Sequence, residues 1–202
     1  MMLLAANHAA FAQGLTWTGK TGNIWDNSSS AINWNDGTDT SYVSGRNVSF
    51  DSSGSNKDIL LNADVSAGTL TVQNTGYTFN LNGHSLTGTG IMQFQNSAFI
   101  ASKDSSIIGN VEITGTNTFT FNMTAGLTNG DSILTFGGTL TTGVSGSSTL
   151  RIAEVDNLSA GLTIALLTVN NPSLPAQFFD PTSPTNFSTN STANPAFTSY
   201  TW

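Results

Sequence analysis

The side chains that could do chemistry in this chain are few and far apart. Its main acids, Asp51, Asp58, Asp64, Asp104, Glu112, Asp131, Glu154 and Asp156, are scattered through a sequence in which only 8% of residues are charged. Cleaving a polysaccharide needs paired carboxylates, or a basic residue beside acids that hold calcium. Glu154 and Asp156, two apart and close to Arg151, would share one strand face and are the best local constellation. Acids at that spacing are more often a solvated strand face, which is the reading adopted. The two histidines, His8 and His84, are isolated, and His84 follows an Asn82-Gly83 turn. The chain has no cysteine, which excludes disulfides, thiol nucleophiles and cysteine-based metal sites. The expectation is a protein that is not an enzyme, with no catalytic residues, no metal and no cofactor.

Two further clusters have chemical interest. Asn33, Asn35, Asp36 and Asp39, in the run NWNDGTD, present hard oxygen ligands around a glycine. Calcium loops do the same, but an EF-hand spaces its ligands differently and ends on an acid that is missing here. Asp and Asn beside Gly are ordinary turn chemistry. Trp17, Trp25 and Trp34 fall within Leu15–Trp34, three of the four tryptophans in the chain. With exposed ring faces they would suit stacking against sugars, and they are the candidate binding residues. Buried, they would plug the open end of a coil of strands, whose apolar column would otherwise meet water. The plug is preferred.

The elements that must position these residues are all strands. No stretch of twelve residues repeats apolar positions at the helical spacing, and glycine or asparagine interrupts nearly everything. The dominant period is two: Leu70-Thr71-Val72, Tyr77-Thr78-Phe79-Asn80-Leu81, Phe119-Thr120-Phe121-Asn122-Met123 and Leu162-Thr163-Ile164-Ala165-Leu166 all alternate. Threonine tolerates the outer face of a strand, so these read as one-sided strands with an apolar interior. Many runs are only three to five residues long, and glycines and Asn-Gly pairs such as Asn82-Gly83 and Asn129-Gly130 punctuate them. Short strands of one repeating type favour an all-β solenoid with about 18–25 residues per rung and about seven or eight rungs. An antiparallel β-sandwich is the alternative.

Composition also divides the chain. Residues 1–14 carry a short apolar run and an Ala10-Phe11-Ala12 pattern before Gln13, read as the remnant of a signal peptide. Residues 15–170 are the solenoid with its Trp-rich end. All five prolines lie at or beyond Pro172, so 171–202 is read as a Pro-rich excursion. It closes on a strand-like Phe197–Trp202, an ending that leads us to expect a further C-terminal region. The net charge is −7 and the five basic residues are dispersed, which argues against nucleic acid and anionic membrane surfaces as partners. No apolar run approaches the ~20 residues of a membrane-spanning helix, so direct membrane insertion by this segment is not expected.

Thr16-Trp17-Thr18-Gly19, Gly22-Asn23-Ile24-Trp25-Asp26 and Asn33-Trp34 form a W-x-G … W … N-W element. Short strands resembling Asn47–Asp51, Gly68–Val72 and Tyr77–Phe79 follow it. The pattern, over about residues 15–100, resembles the opening of autotransporter passenger domains and of proteins with autotransporter-associated β-strand repeats. That resemblance implies a right-handed parallel β-helix displayed outside the bacterial outer membrane, often in adhesion or aggregation. The chain departs from the family pattern in carrying no C-terminal β-barrel translocator.

The expected role is structural and adhesive: a cell-surface or secreted segment that meets host or neighbouring-cell surfaces through multivalent weak contacts. Its partners would be glycans, cell-surface proteins or a like solenoid through self-association. A carbohydrate-binding module and a polysaccharide-cleaving β-helix enzyme are the alternatives.

Overall fold

In a computed structural model of the chain, residues 14–73, 76–123, 126–142, 147–155 and 163–173 are described; they hold strands and no helix. The strands run along three tracks. One comprises β1 (Leu15–Trp17), β5 (Val48–Phe50), β8 (Leu70–Val72), β11 (Met92–Gln95), β14 (Val111–Thr114), the end of β16 (Ser132–Thr142) and the end of β18 (Ala165–Ser173). The second is β7 (Val65–Ala67), β10 (Ser85–Gly88), β13 (Ser105–Ile108) and the starts of β16 and β18. The third is β2 (Ile24–Trp25), β6 (Asp58–Leu61), β9 (Thr78–Asn80), β12 (Ala98–Ala101), β15 (Thr116–Met123) and β17 (Ser147–Val155).

Within each track neighbours pair in parallel, so through the middle of the chain a strand pairs with the one three places later. Antiparallel pairing is confined to β1 with β3 (Trp34–Asn35) and β3 with β4 (Asp39–Thr40). The antiparallel sandwich therefore does not describe these sheets. A sandwich joins neighbours by hairpins, whereas here the partner is one whole pass of chain away. Neither sheet closes on itself.

The alternation fixes which residues face inward, and the corners fix the step between paired residues. Phe79 pairs with Phe99 and Phe99 with Phe119, 20 residues apart each time, and Leu70 pairs with Met92 at 22. Outer passes are longer: Trp25 pairs with Leu61, a step of 36, and Phe119 with Leu150, a step of 31. The first long pass holds the β3–β4 hairpin. Register is fixed because a slip by one residue would turn the buried set outward.

That buried set is a continuous column. Leu15, Val48, Leu70, Met92, Val111 and Leu140 follow one another along the first track, and Phe79, Phe99, Phe119 and Leu150 along the third; all are buried. Phe99 and Phe119 stack with centroids 5.0 Å apart and planes 7° from parallel, while Phe94 meets Phe99 edge-on at 5.0 Å. Such pairs add about 0.5–1.5 kcal/mol beyond area burial.

Corners are closed by side chains from an adjacent pass. Asn47 Oδ1 accepts the Thr69 N–H, Asp64 Oδ1 that of Ser85, Asn96 Oδ1 that of Thr116 and Asn117 Oδ1 that of Ser97, each at 2.8–2.9 Å. Amides at or beside the corners thus gain partners, and that of Ser97 does so in a buried setting. One corner needs glycine outright. A Cβ on Gly138 would stand 2.2 Å from the Gly109 carbonyl oxygen, and one on Gly109 (φ +132°) would stand 2.4 Å from that of Gly88. Here the backbones of three passes touch directly.

The boundary expected at residue 170 falls inside β18, which runs on through Asn171, Pro172 and Ser173. Among the described residues β18 pairs only with β16, so there the missing N–H of Pro172 falls on a strand with one paired edge. All but Gly14 of the expected signal-peptide remnant (residues 1–14), and the C-terminal stretch beyond Ser173, lie outside the described residues.

Candidate functional site

Trp17, Trp25 and Trp34 are brought together, but inward. Their exposures are 0%, 0% and 1%. Trp34 lies edge-on to Trp17 at 5.1 Å and to Trp25 at 5.2 Å, with Tyr42 and Phe50 each within 5.5 Å of it. A sugar-stacking platform requires an open ring face, and none of the three presents one. The β3–β4 hairpin sits at the edge of the sheet beyond β1 and carries Trp34 into the cluster. The Trp17 indole N–H donates to the Asn56 carbonyl at 2.7 Å, so its polar edge is satisfied within the fold.

The NWNDGTD residues build this hairpin. Buried Asn33 accepts from the Thr21 N–H and hydroxyl and donates to the Ile24 carbonyl. Asn35 Oδ1 accepts the Gly37 N–H across the turn, Asp39 pairs with Lys20, and Asp36 Oδ2 lies 3.9 Å from Arg46 Nη2. Their oxygens are turned to turn-making and ion pairs rather than to one centre. Among the described residues no group of three or more His, Asp or Glu converges as metal ligands would. The Asp36-Gly37 dipeptide was the signal for the hairpin: Asp-Gly between pairing runs favours a tight turn.

Beside this cluster Tyr42 is buried and donates its hydroxyl hydrogen to the Ser66 carbonyl at 2.5 Å. Burial pushes its pKa up to about 12, against a smaller opposing pull from Trp25. Because the folded value lies above the unfolded value of about 10, the neutral ring stabilises the fold fully below pH 10. That contribution is lost as pH rises from about 10 to about 12. Tyr42→Phe should therefore flatten the loss of stability in this window, measured by urea unfolding at pH 8 and pH 11. An unchanged pH slope would refute this role.

Among the described residues, the remaining charged side chains do not converge on one site. Arg151 is exposed on β17 and Glu154 follows on the same strand, opposite Asn122 after a register shift; Asp156 lies outside the described residues. His84 Nδ1 lies 3.5 Å from Asp64 Oδ1 at a corner. Lys103 binds Asp131 at 2.8 Å, and Lys57 sits 5.7 Å above the Tyr77 ring.

The surface feature that does assemble was not singled out from sequence. Outward residues of β8, β11 and β14 are in parallel register: Thr71, Gln93 and Glu112 form one column, and Gln95 and Thr114 belong to the next. With Gln73 they line a shallow groove of about 200 Å³. Gln93 Nε2 donates to Glu112 Oε2 at 2.9 Å, fixing one amide against the carboxylate. Adjacent rows stand about 4.8 Å apart and adjacent columns about 6.6 Å. The Thr71 column continues through Ser49 to Thr16, whose hydroxyls meet at 3.0 Å, and on the second track Ser85 meets Ser106 at 2.8 Å. Single glutamines between apolar residues, as in Met92-Gln93-Phe94-Gln95, carry no signal alone; the grid exists only through registry across passes. Compared with protein-family models, curated proteins and solved structures, the chain matches none of them.

Proposed function

We propose that this chain is a segment of a right-handed parallel β-helix of the autotransporter-passenger kind, exported and displayed at the bacterial surface, where its role is adhesive. The observation that carries this reading is the outward grid on β8, β11 and β14, in which hydroxyls, amides and one carboxylate repeat in register. A rigid ladder of this kind suits many weak, simultaneous contacts, whose strengths multiply when the ligand is also repetitive. The aromatic seal at the N-terminal end supports the same reading, since a solenoid must cover the end of its apolar column. On this reading the chain performs no catalytic step, and it takes no cofactor.

Adhesion is tested with beads coated with the 202-residue protein and presented to bacterial cells and to cultured epithelial cells under flow. Retention well above that of albumin-coated beads is expected on at least one cell type. Retention no better than albumin on both would overturn the adhesive role.

A further inference from the structure

We infer that the groove on β8, β11 and β14 binds an extended, uncharged polysaccharide strand, with Gln73, Gln93 and Gln95 as its principal contacts. The lining sets the ligand class. Thr71, Gln73, Gln93, Gln95 and Thr114 all carry groups that donate and accept hydrogen bonds, as sugar hydroxyls do. No cation lines the groove, and its one charge, Glu112, is negative. With a net charge of −7 on the chain, uronic acids, sialic acids and phosphates would be repelled. The only apolar residue at the groove, Val72, is buried, so an apolar peptide or lipid finds nothing to cover.

Geometry favours a polymer over a single sugar. The groove is open rather than enclosed, and its side chains come from three successive strands at one register. A ligand lying across them meets similar polar groups every ~4.8 Å, so length rather than depth supplies affinity. The Gln93–Glu112 bond holds one amide in place before binding, which reduces the ordering cost of a long side chain. Without an aromatic platform, single-site binding is weak. The inference deepens the adhesive reading by naming its site and ligand, and rests on that reading only for its cellular setting.

The test uses the full chain with cellohexaose, xylohexaose and mannohexaose as neutral probes and hexagalacturonate as the charged one, followed by isothermal titration and by chemical-shift changes. At least one neutral hexasaccharide should bind, and hexagalacturonate should not. Gln93→Ala combined with Gln95→Ala should weaken binding at least about tenfold, the effect of losing one or two hydrogen bonds to the ligand. Thr118→Ala, on the opposite sheet, should leave binding unchanged. If the double variant fails to fold, Gln95→Ala alone should weaken binding about threefold or more. The inference is overturned if no neutral hexasaccharide binds, if hexagalacturonate binds as well, or if the Gln variants bind like the parent. It is also overturned if the chain instead forms dimers that those variants dissolve, because the face would then pair with a second copy. Beads that adhere to cells while no hexasaccharide binds would remove this inference and leave the adhesive role standing.

Discussion

Replacing Phe99 with alanine is expected to lower stability by about 3–5 kcal/mol, the cost of a large cavity in a packed core. Phe99 is 1% exposed and sits in the middle of the aromatic column. Phe119 stacks against it at 5.0 Å, Phe79 at 6.0 Å, and Phe94 meets it edge-on at 5.0 Å. Three partners on different passes lose contact at once, and none can collapse inward without breaking its own register. For a chain of this size the midpoint of thermal unfolding should fall by roughly 10 °C or more. Thr118→Ala, one residue before Phe119 and facing outward, should change stability by no more than about 0.5 kcal/mol. Circular dichroism through a urea series checks both. A Phe99→Ala loss below about 1 kcal/mol would mean that the column is not packed as described.

Trp34→Ala should cost a similar amount, about 3–5 kcal/mol, and should do something that Phe99→Ala does not. Trp34 touches Trp17, Trp25, Tyr42 and Phe50, and it arrives on the hairpin beyond the first strand of the sheet. Its removal opens the apolar column to water at one end and loosens the two short strands that cover the β1 edge. Exposed edges and apolar patches recruit other chains. The variant should therefore associate at concentrations where the parent is monodisperse, seen by light scattering. Trp34→Phe keeps most of the ring contact and should remain monodisperse. If Trp34→Ala scatters like the parent, the hairpin is not what seals that end.

Much of the strand content was legible because alternation is a local property. Tyr77–Leu81 and Phe119–Met123 declare their inner and outer faces without reference to anything distant, and both lie as expected. The tryptophans were legible as a group, and their preferred role as a plug accords with their burial, whereas a stacking platform does not. Parallel registry was less visible. That Phe79, Phe99 and Phe119 align, and that Gln93 stands between Thr71 and Glu112, depends on step lengths of 19–22 residues set by corners of varied sequence. No strict motif marks those corners. The β3–β4 hairpin hid behind a possible ion site, because Asp, Asn and Gly serve both turns and calcium loops. Strand β18 ran past the expected limit because proline is tolerated in a strand with one paired edge, which β18 has among the described residues.

The seal at the N-terminal end also gives the chain a direction in time. Through the middle of the chain each pass finds its partner strands about 20 residues earlier, so assembly there closes short loops onto a surface already formed. Nearest-neighbour contacts of that kind favour progressive, pass-by-pass folding over a single concerted collapse. With the tryptophan cluster formed as a base, each completed pass can act as the template for the next. Amide exchange should then be slowest in the central strands β9, β12 and β15, and faster in β18.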